Sequence, residues 1–415
     1  MNILAEEDSK PITADELLRK AVANGSSDVH LKAGAPPKMR VNGQLIPIPG
    51  YSGVVLTGPM TERLASETLV GEDLGSFFGG VGRKDFDYSY ELHNVARFRM
   101  NVSHSRGNLA IVARILPAKP KTLAELGIPP QIGGLVEQHK SGLIIVTGPT
   151  GSGKSRTMSG LVDLINKTQQ VHILSIEDPI EVIHEDAMAS ISQKEIGVDV
   201  NTYDDGLKAA MRQDPDIILI GEIRSSETLH TVIDAAETGH LVISTLHTVD
   251  ASTAMNRIMA LFGEENQTLG RDKIAGILRA VVAQRLLPGL DGSRVAANEL
   301  LLNSQEIATH ISNGASPREY REVLLKSKNM FTFEKRMVEL IELGKISLDT
   351  AKSYSDYPEY FDTIQLKTPA ITPPALPKKK TLPPLAKPNT TIPTKPLPRK
   401  PSAGHGSSPA RWLET

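Results

Sequence analysis

Eight consecutive residues, Gly148, Pro149, Thr150, Gly151, Ser152, Gly153, Lys154 and Ser155, have the types and spacing of a phosphate-binding loop. Its glycines let backbone amides turn inward around phosphate oxygens, and a helix opening at Lys154 would add partial positive charge. In such a loop Lys154 reaches the β- and γ-phosphates and the Ser155 hydroxyl ligates Mg²⁺. The apolar run Leu143-Ile144-Ile145-Val146 precedes the loop. The glycines therefore fall where a buried strand must turn sharply into a helix, which argues against a glycine-rich turn matching by chance. The expected ligand is a nucleoside triphosphate with Mg²⁺.

Hydrolysis of a nucleoside triphosphate needs a group that orients or deprotonates water at a neighbouring strand end. Two stretches qualify: Ser175-Ile176-Glu177-Asp178-Pro179, and Ile217 to Ile220 followed by Gly221 and Glu222. A carboxylate at a strand terminus is as often a solvating charge or a helix cap, so Glu177 and Glu222 gain weight only beside the phosphate loop. His240 and His247 bracket the run from Leu241 to Leu246. Their odd spacing places them at opposite ends and on opposite faces of a strand, which excludes joint zinc ligation. His247, at the strand end, can reach a γ-phosphate; His240 reads as a satisfied structural histidine.

The rest of the 415-residue chain must position these groups, and with 40% hydrophobic and 23% charged residues it can form two or three globular domains. Segments 14–23 and 61–69 have helical spacing, and 28–31, 37–47, 85–90, 95–102 and 109–115 alternate as strands, giving a small α+β domain over 1–118. A proline-bearing linker covers 119–130. Over 131–355, apolar runs at 143–146, 171–176, 217–220 and 241–245 alternate with helical patterns at 155–166, 203–212 and 225–238. That order predicts an α/β domain with a largely parallel sheet, completed by helices at 251–259, 268–281, 305–311 and 332–343. The last segment, 356–415, is expected as a disordered tail, dense in proline and lysine from about 367.

The absence of cysteine excludes disulfides and thiolate metal sites, and the formal net charge of −2 gives no reason to expect nucleic acid binding. No apolar run approaches the roughly 20 residues of a membrane span, and the acidic start is unlike a secretory leader, so a cytoplasmic protein is expected.

The combination resembles the secretion ATPase superfamily, most closely the PilT-like type IV pilus retraction ATPases, over residues 12–354. The resemblance rests on the loop Gly148 to Ser155, the acidic box Ile176-Glu177-Asp178-Pro179-Ile180-Glu181, the stretch Asp214-Pro215-Asp216 leading to Glu222, and the histidine box from Thr238 to Thr248. Ser27-Asp28-Val29-His30-Leu31 and Pro36 to Gly43 are similar to the start of that family's PAS-like domain. The resemblance implies a PAS-like α+β domain followed by a RecA-like ATPase domain, in a homo-hexameric ring that binds ATP between the two. It implies that Glu222 polarises water, Glu177 supports the metal and the water, and His247 senses the γ-phosphate. Arginines of the N-terminal domain, here Arg97, Arg99 and Arg114, would reach the nucleotide.

Implied partners are an inner-membrane pilus platform protein or related secretion machinery, which would hold the chain peripherally at the membrane, and a paralogous motor. No four-cysteine zinc insertion of the assembly branch is present, yet the retraction motif Ala-Ile-Arg-Asn-Leu-Ile-Arg-Glu is replaced by Glu306 to Asn313 without arginine. Arg156 stands where the family usually has threonine, on an exposed turn beside the metal ligand. Two readings follow: a motor for pilus retraction and twitching motility, or a nucleotide-binding accessory subunit with little turnover. A nucleic-acid-translocating or small-molecule-phosphorylating enzyme lacks a basic face or a second substrate signature.

Overall fold

The computed structural model describes residues 11–69, 85–117, 119–263 and 266–364, so nearly all of the expected tail lies outside the described residues. Its first residues belong to the folded body instead: Pro358–Asp362 form a short 3-10 helix that buries Phe361.

The N-terminal part is a six-stranded sheet in the order β3-β2-β1-β6-β5-β4. Its strands are β1 (Asp28–Lys32), β2 (Lys38–Val41), β3 (Gln44–Pro47), β4 (Phe86–Leu92), β5 (Ala96–Ser105) and β6 (Asn108–Ile115). All pairings are antiparallel. Alternation along β5 and β6 sends Phe98, Met100, Val102, Ile111 and Ala113 into a core shared with helices α1 (Ala14–Ala23) and α2 (Gly58–Thr68). The other face of β5 presents Arg97 and Arg99, which therefore point away from that core.

The second sheet has seven strands in the order β13-β12-β7-β11-β10-β8-β9. They are β7 (Gly142–Thr147), β8 (His172–Glu177), β9 (Ser190–Glu195), β10 (Ile217–Ile220), β11 (Leu241–Leu246), β12 (Leu278–Pro288) and β13 (Arg294–Leu302). All neighbours from β12 to β9 run parallel, and β13 is antiparallel to β12. Helices cover both faces, so Leu143 and Ile145 of β7 enter one core and Ile144 and Val146 the other. Burial on both sides explains why these strands read as unbroken apolar runs. The carboxyl ends of β7, β8, β10 and β11 lie together, the place where an open α/β sheet binds its ligand.

The C-terminal portion is not purely helical. The helix expected over 268–281 is confined to Gln267–Ile277, and Leu278 begins β12. The run Ala280-Val281-Val282-Ala283 is apolar on every side and rich in β-branched residues, and it pairs with β7 instead of continuing the helix. Segment 119–130 is more than a tether: Leu123 and Leu126 pack on the core of the second sheet, and Pro130 already opens a helix, Pro130–Gln138.

Candidate nucleotide site

The phosphate loop joins β7 to the helix Lys154–Thr168. Gly153 caps that helix at φ 91° without a side-chain bond, so the first-turn amides have no side-chain acceptor and face the loop. Gly148, at φ 149°, lies so close to β12 that a Cβ there would come within 2.3 Å of the Gln284 carbonyl oxygen. A Cβ on Gly153 would come within 2.8 Å of Gln284 Nε2. Both glycines are thus fixed by close approach as well as by backbone angle.

Gln284 holds the loop from behind. Its Nε2 donates to the Ser152 carbonyl at 2.7 Å, and its Oε1 accepts from Thr157 Oγ1 at 2.7 Å and Asn298 Nδ2 at 3.1 Å. Gln284 is 2% exposed and Asn298 0%, so this network is sealed from water.

At the mouth of the loop, Lys154 Nζ donates to the Gly148 carbonyl at 2.8 Å, approaches that of Pro149 at 3.3 Å, and lies 3.5 Å from His247 Nδ1. His247 Nε2 is 3.4 Å from Glu222 Oε2, and Glu222 is paired with Arg224. Burial lowers the Lys154 pKa, and the Glu222 carboxylate opposes that shift. Burial and the Lys154 ammonium pull His247 below the ordinary imidazole value, so its ring is neutral at pH 7. His240, at the other end of β11, is held by the Ala235 carbonyl at 2.9 Å and takes no part in the site.

Glu177 ends β8 and accepts from Ser175 Oγ at 2.7 Å and Gln193 Nε2 at 3.1 Å. Burial pushes its carboxyl above the ordinary value, and these two hydrogen bonds act against that shift.

Glu177, Glu222, His247 and loop residues Thr150, Gly151, Gly153, Lys154, Ser155 and Arg156 line one cleft of about 880 Å³. The N-terminal sheet supplies its other wall through Arg99 and Arg114. Arg114 Nε is 3.0 Å from Asp28 Oδ1, and Arg99 Nε is 3.9 Å from Asp87 Oδ1. Arg97 is not on the wall. Its Nη2 donates to Ser89 Oγ at 2.7 Å and to Glu195 Oε2 at 2.5 Å, tying β5 to the end of β9. Glu195, 4% exposed along its side chain, also accepts from Ser89 Oγ at 2.6 Å and the Ile180 amide at 3.2 Å.

No cluster of three metal-ligating side chains occurs among the described residues. A loop hydroxyl from Ser155 with one or two nearby carboxylates is the donor set Mg²⁺ uses when phosphates and water complete its shell, so the residues fit that ion.

Sequence reasoning missed Gln284, Glu195 and Arg224. Gln284 left a weak signal, an amide that directly follows the apolar run Ala280 to Ala283. Glu195 left none, because its strand is half polar.

A doubly wound sheet with a phosphate loop, strand-end acids and a strand-end histidine defines a P-loop ATPase core, here preceded by an antiparallel N-terminal domain. Residues 88–353 match the family described as Type II/IV secretion system protein, and the chain belongs to that family. It is 36% identical over 353 residues to the type IV pilus retraction ATPase PilT of Pseudomonas aeruginosa, covering 83% of this chain and 99% of that protein. It is 34% identical over 351 residues to the type IV pilus ATPase PilU of the same organism, covering 82% and 88%. The crystal structure of the pilus retraction motor PilT with bound ADP superposes with a TM-score of 0.78 at 35% identity, over 85% of this chain and all (100%) of that one. The chain thus belongs with the PilT-like type IV pilus ATPases. No helix among the described residues is long and apolar enough to cross a membrane.

Proposed function

We propose that this chain hydrolyses ATP as a ring-forming motor, a homo-hexamer, that retracts type IV pili or drives a related secretion filament. The observation that carries the reading is the chain of contacts Lys154, His247, Glu222 at the mouth of the phosphate loop, facing Arg99 and Arg114 across one cleft.

In this reading Lys154 leaves the Gly148 carbonyl for the β- and γ-phosphates. Glu222 accepts a proton from, or orients, the attacking water, and the neutral His247 reports the γ-phosphate to Glu222. Mg²⁺, held by Ser155 with support from Glu177, supplies charge neutralisation of the phosphates when bound. Arg99 and Arg114 stabilise the charge that spreads over the transferring phosphoryl group, as guanidinium groups do well. Work comes from closure: nucleotide between two domains favours one mutual orientation by its differential affinity for the two states. An inner-membrane platform protein of the pilus and a paralogous motor are the proposed partners, and they would hold the protein at the cytoplasmic face of that membrane.

Steady phosphate release by the purified chain tests the enzyme, and light scattering tests the ring. Turnover indistinguishable from a Lys154→Ala variant would turn the reading to a non-hydrolysing coupling subunit. Deletion of the gene, with surface filaments counted and their shortening followed, tests the role: more filaments without shortening supports retraction, and fewer supports assembly.

A further inference from the structure

A second pocket, of about 240 Å³, opens between helices Ala251–Phe262 and Gln267–Ile277 and the end of helix Gln305–Asn313. None of the nucleotide-site residues lines it. Its volume is below the 300–1,000 Å³ typical of cofactor and small-molecule sites, and suits a single side chain.

Arg271 reaches into this pocket, and its Nε is buried with no hydrogen-bond partner. No ion pair or hydrogen bond to its guanidinium occurs among the described residues. The guanidinium lies flat against Gly314, where an added Cβ would sit 2.6 Å from Arg271 Cζ and 2.8 Å from Nη1. Gly314 itself caps helix Gln305–Asn313 at φ 69°. The glycine therefore gives the arginine its seat. Tyr320 shares the pocket, and burial pushes its phenol up to about 12, so it stays a protonated donor at neutral pH. Met255, Met259 and Ile311 form an apolar flank, the methionines able to adapt to the shape of an incoming group.

We propose that this pocket binds a carboxylate side chain presented by a partner protein, an aspartate or glutamate with apolar neighbours, with Arg271 as its charge partner. A guanidinium is the cation best suited to a planar carboxylate, and charge-assisted bonds in a partly desolvated pocket are the strong ones. The inference does not depend on ATP hydrolysis.

An array of fluorescent pentapeptides with a central Glu or Asp between Leu, Met, Val or Ala, each paired with its Gln or Asn counterpart, tests it by anisotropy on the full chain. At least one acidic peptide should bind roughly tenfold or more tightly than its amide twin. Arg271→Gln should bring that ratio near one with ATPase turnover and melting temperature close to the parent. Gly314→Ala, which dislodges the guanidinium without removing charge, should lower the ratio too. Absence of any acid-over-amide preference, or a preference that survives Arg271→Gln, overturns the proposal. Displacement of the acidic peptide by inorganic phosphate at a comparable concentration would make this a site for free anions and overturns the partner carboxylate.

Discussion

Replacing Gln284 by methionine removes three hydrogen bonds while nearly keeping volume, and its consequences can be worked out from the contacts. The Ser152 carbonyl, the Thr157 hydroxyl and the Asn298 amide all lose their partner, in a region where Gln284 is 2% exposed and Asn298 and Thr157 0%. Each orphaned group costs roughly 1–3 kcal/mol. Thr157 can turn its hydroxyl toward a carbonyl of its own helix and recover its share, so a net loss of about 2–6 kcal/mol in stability is expected from the other two groups. The effect on nucleotide has a different origin. The Ser152 carbonyl is held from β12 by Gln284 alone among the described residues, and without it the loop samples conformations that cannot cradle phosphate. If the competent fraction falls to about one tenth, apparent affinity falls tenfold. Titration with a fluorescent ATP analogue reads this, and thermal unfolding reads the stability. Asn298→Leu is the control: Asn298 bonds Gln284 but not the loop, so it should lower the melting temperature with little change in affinity. Parental affinity in Gln284→Met alongside a lowered melting temperature would refute the argument that Gln284 positions the loop, leaving it a core residue.

Glu222→Gln should keep ATP affinity near the parent and reduce turnover by a factor on the order of 10², measured by titration beside phosphate release; parental turnover would remove Glu222 from the chemistry. Arg99→Ala and Arg114→Ala should lower turnover more than ATP affinity, and equal losses in both would make them binding residues only. Glu195→Gln breaks the ion pair to Arg97, 4% and 18% exposed at their side chains, and should destabilise by about 2–4 kcal/mol in denaturant unfolding; an unchanged midpoint would mean the pair contributes nothing. Glu299 is wholly buried and accepts from the Ala251 amide at 2.9 Å; burial raises its pKa from 4.5 to about 7. The folded state therefore holds this proton more tightly, so stability is full below about pH 4.5 and falls as pH rises through 7, by something on the order of 3 kcal/mol. Glu299→Gln should flatten the melting temperature between about pH 5 and 8, and a pH dependence like the parent's would assign the effect to another group.

The parts of the fold legible in the sequence are those whose physics is local. An apolar run followed by a glycine-rich turn and a helical pattern describes β7, the loop and its helix without reference to anything else in the chain. The strand-end position of Glu222 and His247 follows from short buried runs of the same kind. What the sequence did not disclose depends on pairings between distant segments. Residues 280–283 are apolar throughout, a pattern that a buried helix and a buried strand share, and it is pairing with β7, Val282 with Val146 and Ala283 with Thr147, and with β13 that makes them a strand. That same register sets Gln284 beside Gly148, so its role was out of reach until β12 was placed. β9, Ser190–Glu195, is a half-exposed edge strand of mixed polarity, and nothing in its composition marks it as part of a buried sheet.

That edge strand bears most directly on how nucleotide and domain position could be linked. Gln193 and Glu195 are two residues apart and so share a face of β9. Gln193 donates to Glu177 at 3.1 Å in the nucleotide cleft, and Glu195 holds Arg97 of the N-terminal sheet and the amide of Ile180, just beyond Glu177 and Asp178. Rotation of the N-terminal sheet strains the Arg97 pair, which joins the two sheets, whereas the Arg99 and Arg114 pairs lie within the N-terminal sheet. Under the proposed function a shift along so short a stretch of backbone would reach the hydrogen bond by which Gln193 favours the charged form of Glu177. Arg99 and Arg114, by contrast, keep exposed side chains on the cleft wall, Arg99 in an exposed pair with Asp87 and Arg114 paired with the buried Asp28. The N-terminal sheet thus carries an arginine anchored to the strand that braces an acid and two arginines that line the cleft, and under the proposed function that division would let closure around ATP and the setting of Glu177 occur as one movement.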